Sequence, residues 1–276
     1  MATAGMRSGF VLPGGTANEQ AELAVLAEQA GWDGVFVWET GYGVDPWGLL
    51  CAVAGRTSRI RLGTMLTPLP FRRPWKLASQ VATLDQLSGG RAILAVGLGA
   101  LDEGMPSMGE VSDLRARAER LDEGIGLIRD LWSGARQYQG KHYVYQQGTV
   151  DLATAARPVQ ERIPIWVVGA WPRPKSMRRA LRCDGVVPQY RRDAEGTPQD
   201  ARELRAWLTQ HGAGPGFDVI AEGETPAGDL AAAAAVTAAW AAAGCTWWLE
   251  ERWQTVFSQP PRLANARERI AAGPGF

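Results

Sequence analysis

Carboxyl groups, backbone amides and cations gather at a few places in this chain where they could act on a ligand. Residues 34–47, GVFVWETGYGVDPW, carry Glu39, Thr40, Tyr42 and Trp47 at or just beyond the end of an apolar run. Glu39 has two readings there: it anchors a ring or a proton, or it is a hydrogen-bonded structural carboxylate. Asp102 and Glu103 follow Gly97-Leu98-Gly99 and are acidic candidates for a different wall. Either would need burial to raise its pKa before acting as a general acid or base. Gly169-Ala170-Trp171 runs into Pro172-Arg173-Pro174-Lys175, where free amides, a helix start and two cations would converge. That combination suits a phosphate. A tight turn with solvated charges is the other reading, since the run is neither a P-loop nor a dinucleotide fingerprint.

Other chemistries are disfavoured by what surrounds the candidate residues. His142 and His211 are the only histidines, and neither has metal-ligand spacing with a cysteine or with the other. No Ser/His/acid or Cys/His arrangement falls at an apparent strand end. Cys51, Cys183 and Cys245 are odd in number and widely spaced among apolar residues, which suits a reducing cytoplasm and no disulfide framework. No metal site is expected, and redox chemistry would be borrowed from an organic cofactor. Formal charge is zero at pH 7, so no global field draws the chain to nucleic acid or an acidic membrane. The start lacks an export-signal pattern. The uncharged run Leu230 to Cys245 is mostly alanine and too short to span a bilayer, so it reads as a buried alanine-rich helix.

Positioning such groups requires strands that end at one face. In residues 59–99, Ile60, Leu62 and Thr64 alternate as a strand; Pro68, Pro70 and Pro74 break the chain; Leu77, Val81 and Leu84 recur at helical spacing. Ser88-Gly89-Gly90 ends that helix and a strand, Ala92 to Gly97, follows, a complete parallel crossover. Strand candidates lie at Gly9 to Leu12, Gly34 to Trp38, Ile60 to Leu66, Ala92 to Gly97, Ile165 to Val168, Gly185 to Val187, Asp218 to Ala221 and Thr246 to Leu249. Helical patterns begin near Asn18, Asp45, Pro74, Asp113, Pro174, Pro198, Pro226 and Arg262. Thr16 with Glu19 forms a capping-box pattern, and Asp45-Pro46, Thr197-Pro198 and Thr225-Pro226 place a cap before a first-turn proline.

Eight strand and helix units in 276 residues argue for an α/β fold, a single closed (β/α)8 barrel domain over residues 1–276; an open doubly wound sheet is the alternative. The segment Ala135 to Pro164, with Tyr138, Tyr143 and Tyr145 around Gly140, reads as a hairpin inserted between the fourth helix and fifth strand. In a barrel, ligands bind at the strand C-termini. LSGGR, in a helix-to-strand return, is then structural, while Gly97, Gly99, Gly169 and Ala170 fall on the ligand face.

The motifs GWDGVFVWE, RTSRIRLGTMLTPLPFRRPWKLASQVATLDQLSGGR with AVGLG, RLDEGIGLIRDLW, and PIWVVGAWPRPKSMRRALRCDGVVP together resemble the bacterial luciferase-like family of flavin- and deazaflavin-dependent oxidoreductases. The resemblance implies a TIM-type barrel, a cofactor ring at the strand C-termini, and often a homodimer. It casts Thr64-Met65-Leu66 as the bulge against which an FMN or coenzyme F420 ring leans. Gly97 and Gly99 would face the ring or its chain, and Gly169, Ala170 and Trp171 match the phosphate loop, with alanine replacing a second glycine.

Thr40 stands where many deazaflavin members carry histidine. The resemblance places Glu103 near a family carboxylate, so Glu103 and Glu39 are the catalytic candidates, and Thr40, Trp47, Gln189 and Arg191 the substrate-side ones. Hydride transfer to or from a small organic substrate, or oxygen activation by FMN supplied by a flavin reductase, is the implied function. A barrel that binds such a ligand without turnover is the alternative.

Overall fold

A computed structural model describes residues 5–100, 108–149, 154–190, 196–226, 228–251 and 262–275. Eight strands and eight helices alternate along these residues. They are β1 (Arg7–Val11), α1 (Ala17–Gln29), β2 (Gly34–Val37), α2 (Pro46–Ala54), β3 (Arg61–Thr64), α3 (Pro74–Ser88), β4 (Ala92–Gly97) and α4 (Leu114–Trp132). Then come β5 (Ile165–Ala170), α5 (Pro174–Ala180), β6 (Gly185–Gln189), α6 (Pro198–Gln210), β7 (Asp218–Gly223), α7 (Leu230–Ala242), β8 (Trp247–Glu250) and α8 (Arg262–Ala271).

The strands pair in parallel around a closed ring, from β3 through β2, β1, β8, β7, β6 and β5 to β4. Leu62 pairs with Ala92 and Gly63 with Ile93 to close it. This is the (β/α)8 TIM barrel expected from the alternation, and the open sheet is excluded. Between α4 and β5, Gln137–Gln139 pairs antiparallel with Val144–Gln146. Glu123 of α4 holds that ribbon by accepting the amide protons of His142 (2.9 Å) and Tyr143 (2.8 Å).

Large rings fill the barrel interior. Phe36 stacks on Trp166 at 5.4 Å, and Trp247 meets both edge-on at 6.0 and 5.3 Å. Room for Phe36 comes from Gly9, Gly34 and Gly63, where a Cβ would lie 2.7, 2.9 and 2.9 Å from its ring. Any side chain there would displace this plug. Asp218 closes the lower end, accepting from Trp166 Nε1 (3.1 Å), Arg7 (2.9 Å) and the Thr246 hydroxyl (2.8 Å).

The caps read from the sequence form at Thr16–Glu19, Asp45 and Thr197, where Asp200 completes a second box. LSGGR is structural as expected: Gly89 ends α3 in the left-handed conformation, and buried Arg91 donates to the carbonyls of Ala54, Thr57, Ile60 and Ser88.

Two helix expectations are corrected. α7 starts at Leu230 behind an Asp229 cap, not at Pro226, because Thr225 is drawn inward. Its N–H and hydroxyl both donate to buried Glu250 (2.9 and 2.6 Å), and Arg269 of α8 donates to its oxygen. Nor is α7 buried throughout: Ala233, Thr237 and Trp240 form one inward stripe, and most of the remaining alanines are at least partly exposed. Alanine's high helix propensity lets such a helix form without full burial. Among the described residues, no helix is long and apolar enough to cross a membrane.

Candidate active site

The strand C-termini open onto one cavity of about 2990 Å³. Strand alternation decides what it contains. Val187 and Ile220 point into the barrel with Phe36 and Trp166, so Gln189 and Glu222, two residues further along β6 and β7, follow on the inward face at the rim.

The floor is apolar, built from Met65, Leu66, Val168 and Ile220. The Met65–Leu66 peptide is cis. Leu66 sits over Gly97, where a Cβ would come within 2.9 Å of its methyl group. Gly99 adopts φ +77°, and a Cβ there would meet Pro68 and Phe71 at 2.8 Å. Arg117 fixes this turn by donating to the carbonyls of Leu98 and Gly99. Thr64 lies below the floor, fully buried, with its hydroxyl donating to Ala95 O (3.1 Å) and accepting from Thr67 (3.1 Å).

At the β5 end, two of the loop amides are engaged within the fold. The Ala170 N–H donates to Ser176 Oγ (2.9 Å) and the Trp171 N–H to Gln189 O (2.9 Å). Gly169 does not open onto the cavity: its missing side chain makes room for Met177 and Val186, which a Cβ would meet at 2.6 and 2.9 Å. That glycine lets α5 pack on the sheet. Cationic side chains also line this part of the wall. Arg173, Lys175 and Arg178 are exposed on the cavity wall and, among the described residues, have no carboxylate partner. Arg179 and Arg182 are spent on Asp122.

Two carboxyl groups on the wall each have a buried oxygen without a hydrogen-bond partner, Oε2 of Glu39 and Oε1 of Glu222. Arg72 grips the other oxygen of Glu39 through Nε (2.6 Å) and Nη2 (2.5 Å). Burial nevertheless outweighs that cation and raises the Glu39 pKa. Burial alone pushes Glu222 up to about 7. Glu222 was not among the sequence candidates, because the apolar pattern of β7 stops at Ala221.

The remaining candidates are dispersed. Gln189 is exposed to the cavity. Thr40 turns to the Tyr42 carbonyl (3.0 Å), and Trp47 is buried in the packing between barrel and helices. Asp102, Glu103 and Arg191 lie outside the described residues. His142 bonds Glu119 (3.1 Å) and His211 stacks on Trp207 (3.9 Å). Burial raises the thiols of Cys183 and Cys245 to about 11 and about 12, leaving them unreactive near neutral pH. No metal-binding cluster occurs among the described residues.

Three comparisons bear on this arrangement. Residues 2–272 match the luciferase-like monooxygenase family. An F420-dependent glucose-6-phosphate dehydrogenase of Amycolatopsis mediterranei is 38% identical over 166 residues, 56% of this chain and 48% of that protein. One from Rhodococcus erythropolis is 36% identical over 155 residues, 51% of this chain and 46% of the relative. The chain thus spans about half the length of the curated relatives it matches. Monooxygenase RslO1 from Streptomyces bottropensis superposes with a TM-score of 0.66 at 25% identity, covering 80% of this chain and 71% of that one. An F420-dependent secondary alcohol dehydrogenase superposes with a TM-score of 0.75 over 99% of both chains, and at 16% identity that likeness concerns the fold. A closed barrel with this floor and a match over nearly its whole length place the chain in the luciferase-like monooxygenase family.

Proposed function

We propose that this chain is a deazaflavin-dependent oxidoreductase that uses coenzyme F420 to oxidise a hydroxylated small molecule. The observation that carries the reading is the division of the cavity. Its apolar floor of Met65, Leu66 and Val168 adjoins a wall with three cations, Arg173, Lys175 and Arg178, that have no carboxylate partner among the described residues. A flat ring with a phosphate-bearing tail fits that division, and the sequence relatives named for F420 support this cofactor.

When bound, such a coenzyme supplies a two-electron hydride acceptor. The chain's own residues do the rest. Leu66 and Val168 present apolar surface to a ring, while the α5 cations neutralise a tail phosphate. Glu39, held by Arg72, keeps Oε2 available to accept one hydrogen bond from a ligand. An FMN-dependent oxygenase is the second reading, favoured by the 25% identity to monooxygenase RslO1.

Absorbance of oxidised F420, followed anaerobically with sugars and simple alcohols, separates these readings. Substrate-dependent bleaching supports the dehydrogenase. Oxygen consumption with reduced FMN and no bleaching of F420 supports the oxygenase. Coenzyme binding without either reaction supports a non-catalytic barrel.

A further inference from the structure

We infer that Glu222 takes the proton from the substrate hydroxyl, with Gln189 beside it to hold the same oxygen; this rests on the dehydrogenase reading above. Glu222 stands on the inward face of β7, two residues beyond Ile220, and Gln189 stands likewise beyond Val187 on the adjacent strand β6. Both line the cavity beside its apolar floor. Oε1 of Glu222 is buried and has no hydrogen-bond partner, so folding leaves a desolvated acceptor facing a ligand space. A buried acceptor left unmatched costs stability unless a ligand completes it, which is why such groups mark functional sites.

Glu39 is the competing carboxyl. Its Oε1 is already held by Arg72, and a cation at 2.6 Å opposes proton uptake. Among the described residues no cation pairs with Glu222, and burial raises its pKa toward neutrality, where a general base works best. Among the described residues, the titratable groups that line the cavity just past these strands are Glu224 after β7, Glu251 after β8 and Tyr190 after β6. Tyr190 is itself driven up by burial, with the Glu222 charge contributing. Glu250, next on β8, belongs to a separate network with Thr225 and Arg269.

The step balances as an alcohol oxidation. The substrate O–H bond breaks and its proton passes to Oε1 of ionised Glu222. The carbinol C–H bond breaks with its electron pair passing to the oxidised deazaflavin, and the C=O bond forms. Substrate loses two electrons and coenzyme gains two.

The test compares wild type, Glu222→Gln and Glu222→Asp, each with F420, using glucose 6-phosphate, glucose and isopropanol as probe alcohols. Glu222→Gln should lower kcat on order of 100-fold, with KM changed far less. In wild type the rate should rise with pH through about 7, a limb that Glu222→Gln lacks and Glu222→Asp retains. F420 affinity should stay within about twofold in all three proteins, since the coenzyme is held by other groups. Infrared titration gives a readout without turnover: a protonated-carboxyl band that fades through about pH 7 in wild type and is missing in Glu222→Gln.

If Glu222→Gln binds F420 and keeps both rate and pH limb, or no carboxyl band titrates near neutrality in wild type, the role of Glu222 is overturned while the coenzyme reading stands. If wild type binds F420 but turns over no probe alcohol, the proton-transfer role is overturned as well. If wild type binds no F420, the dehydrogenase reading itself fails and takes this one with it.

Discussion

Arg72 holds Glu39 by a single oxygen, Nε at 2.6 Å and Nη2 at 2.5 Å, and leaves Oε2 buried without a partner. The two ends of this pair differ. The Glu39 side chain is 4% exposed and that of Arg72 24%, so losing one partner is not equivalent to losing the other. Arg72→Met strands a buried carboxylate and should cost about 2–3 kcal/mol in urea denaturation at pH 7. Glu39→Gln leaves an arginine that water can reach and should cost less than half of that. Equal losses would show that the pair is not asymmetric.

Glu222 predicts a pH dependence of stability. Its carboxyl titrates near 4.5 in the unfolded chain and at about 7 when folded. Between those values the folded state keeps a proton that the unfolded chain releases, so stability falls as pH rises through this window and levels off above it. Glu222→Gln removes the penalty. It should match wild type below the window and exceed it by on the order of 3 kcal/mol above. Denaturation curves at both ends of the window check this, and a constant difference between the proteins would contradict it.

Gly169 predicts a packing effect transmitted to the anion site. An alanine Cβ would lie 2.6 Å from Met177 Cε and 2.9 Å from Val186, both fully buried. Gly169→Ala should therefore cost about 1–3 kcal/mol through overpacking. It should also displace α5, which bears Lys175 and Arg178, and weaken coenzyme binding. Unchanged stability with weakened binding would mean that the glycine faces the ligand after all.

Lys175 and Arg178 predict an electrostatic effect without a structural one. Neither has a carboxylate partner among the described residues, so removing both should leave the melting temperature unchanged. Coenzyme affinity should drop about tenfold, close to 1.4 kcal/mol, and its salt dependence should flatten. An unaltered salt dependence would place the phosphate elsewhere.

The architecture was legible because alternation and punctuation agree along the chain. Ala92–Gly97 is predicted to the residue, and the other seven strands are found with shifted ends. At β6, β7 and β8 the shifted C-terminal ends share a cause. Apolar periodicity stops at the first polar residue, whereas barrel strands continue past it to deliver polar groups to the mouth. β6 therefore runs to Gln189 rather than Val187, and β7 to Gly223 rather than Ala221. Glu222 was lost for that reason.

At Gly169 the sequence shows that a side chain is missing, not that Met177 and Val186 fill the space. Thr225 likewise carries a cap's residue type, but Glu250 and Arg269, distant in sequence, decide its role. Glu222 follows Ile220 at strand spacing, as Gln189 follows Val187, and that two-residue step past the apolar run is the signal that marks it.

Whether this cavity holds F420 is read by equilibrium fluorescence titration of the purified protein with oxidised F420 and, separately, FMN. F420 binding should be saturable, weakened by salt and by loss of Lys175 and Arg178, with FMN bound more weakly. Preference for FMN would move the chain to the oxygenase reading, and binding of neither would contradict the assignment of this cavity to a flavin-type coenzyme.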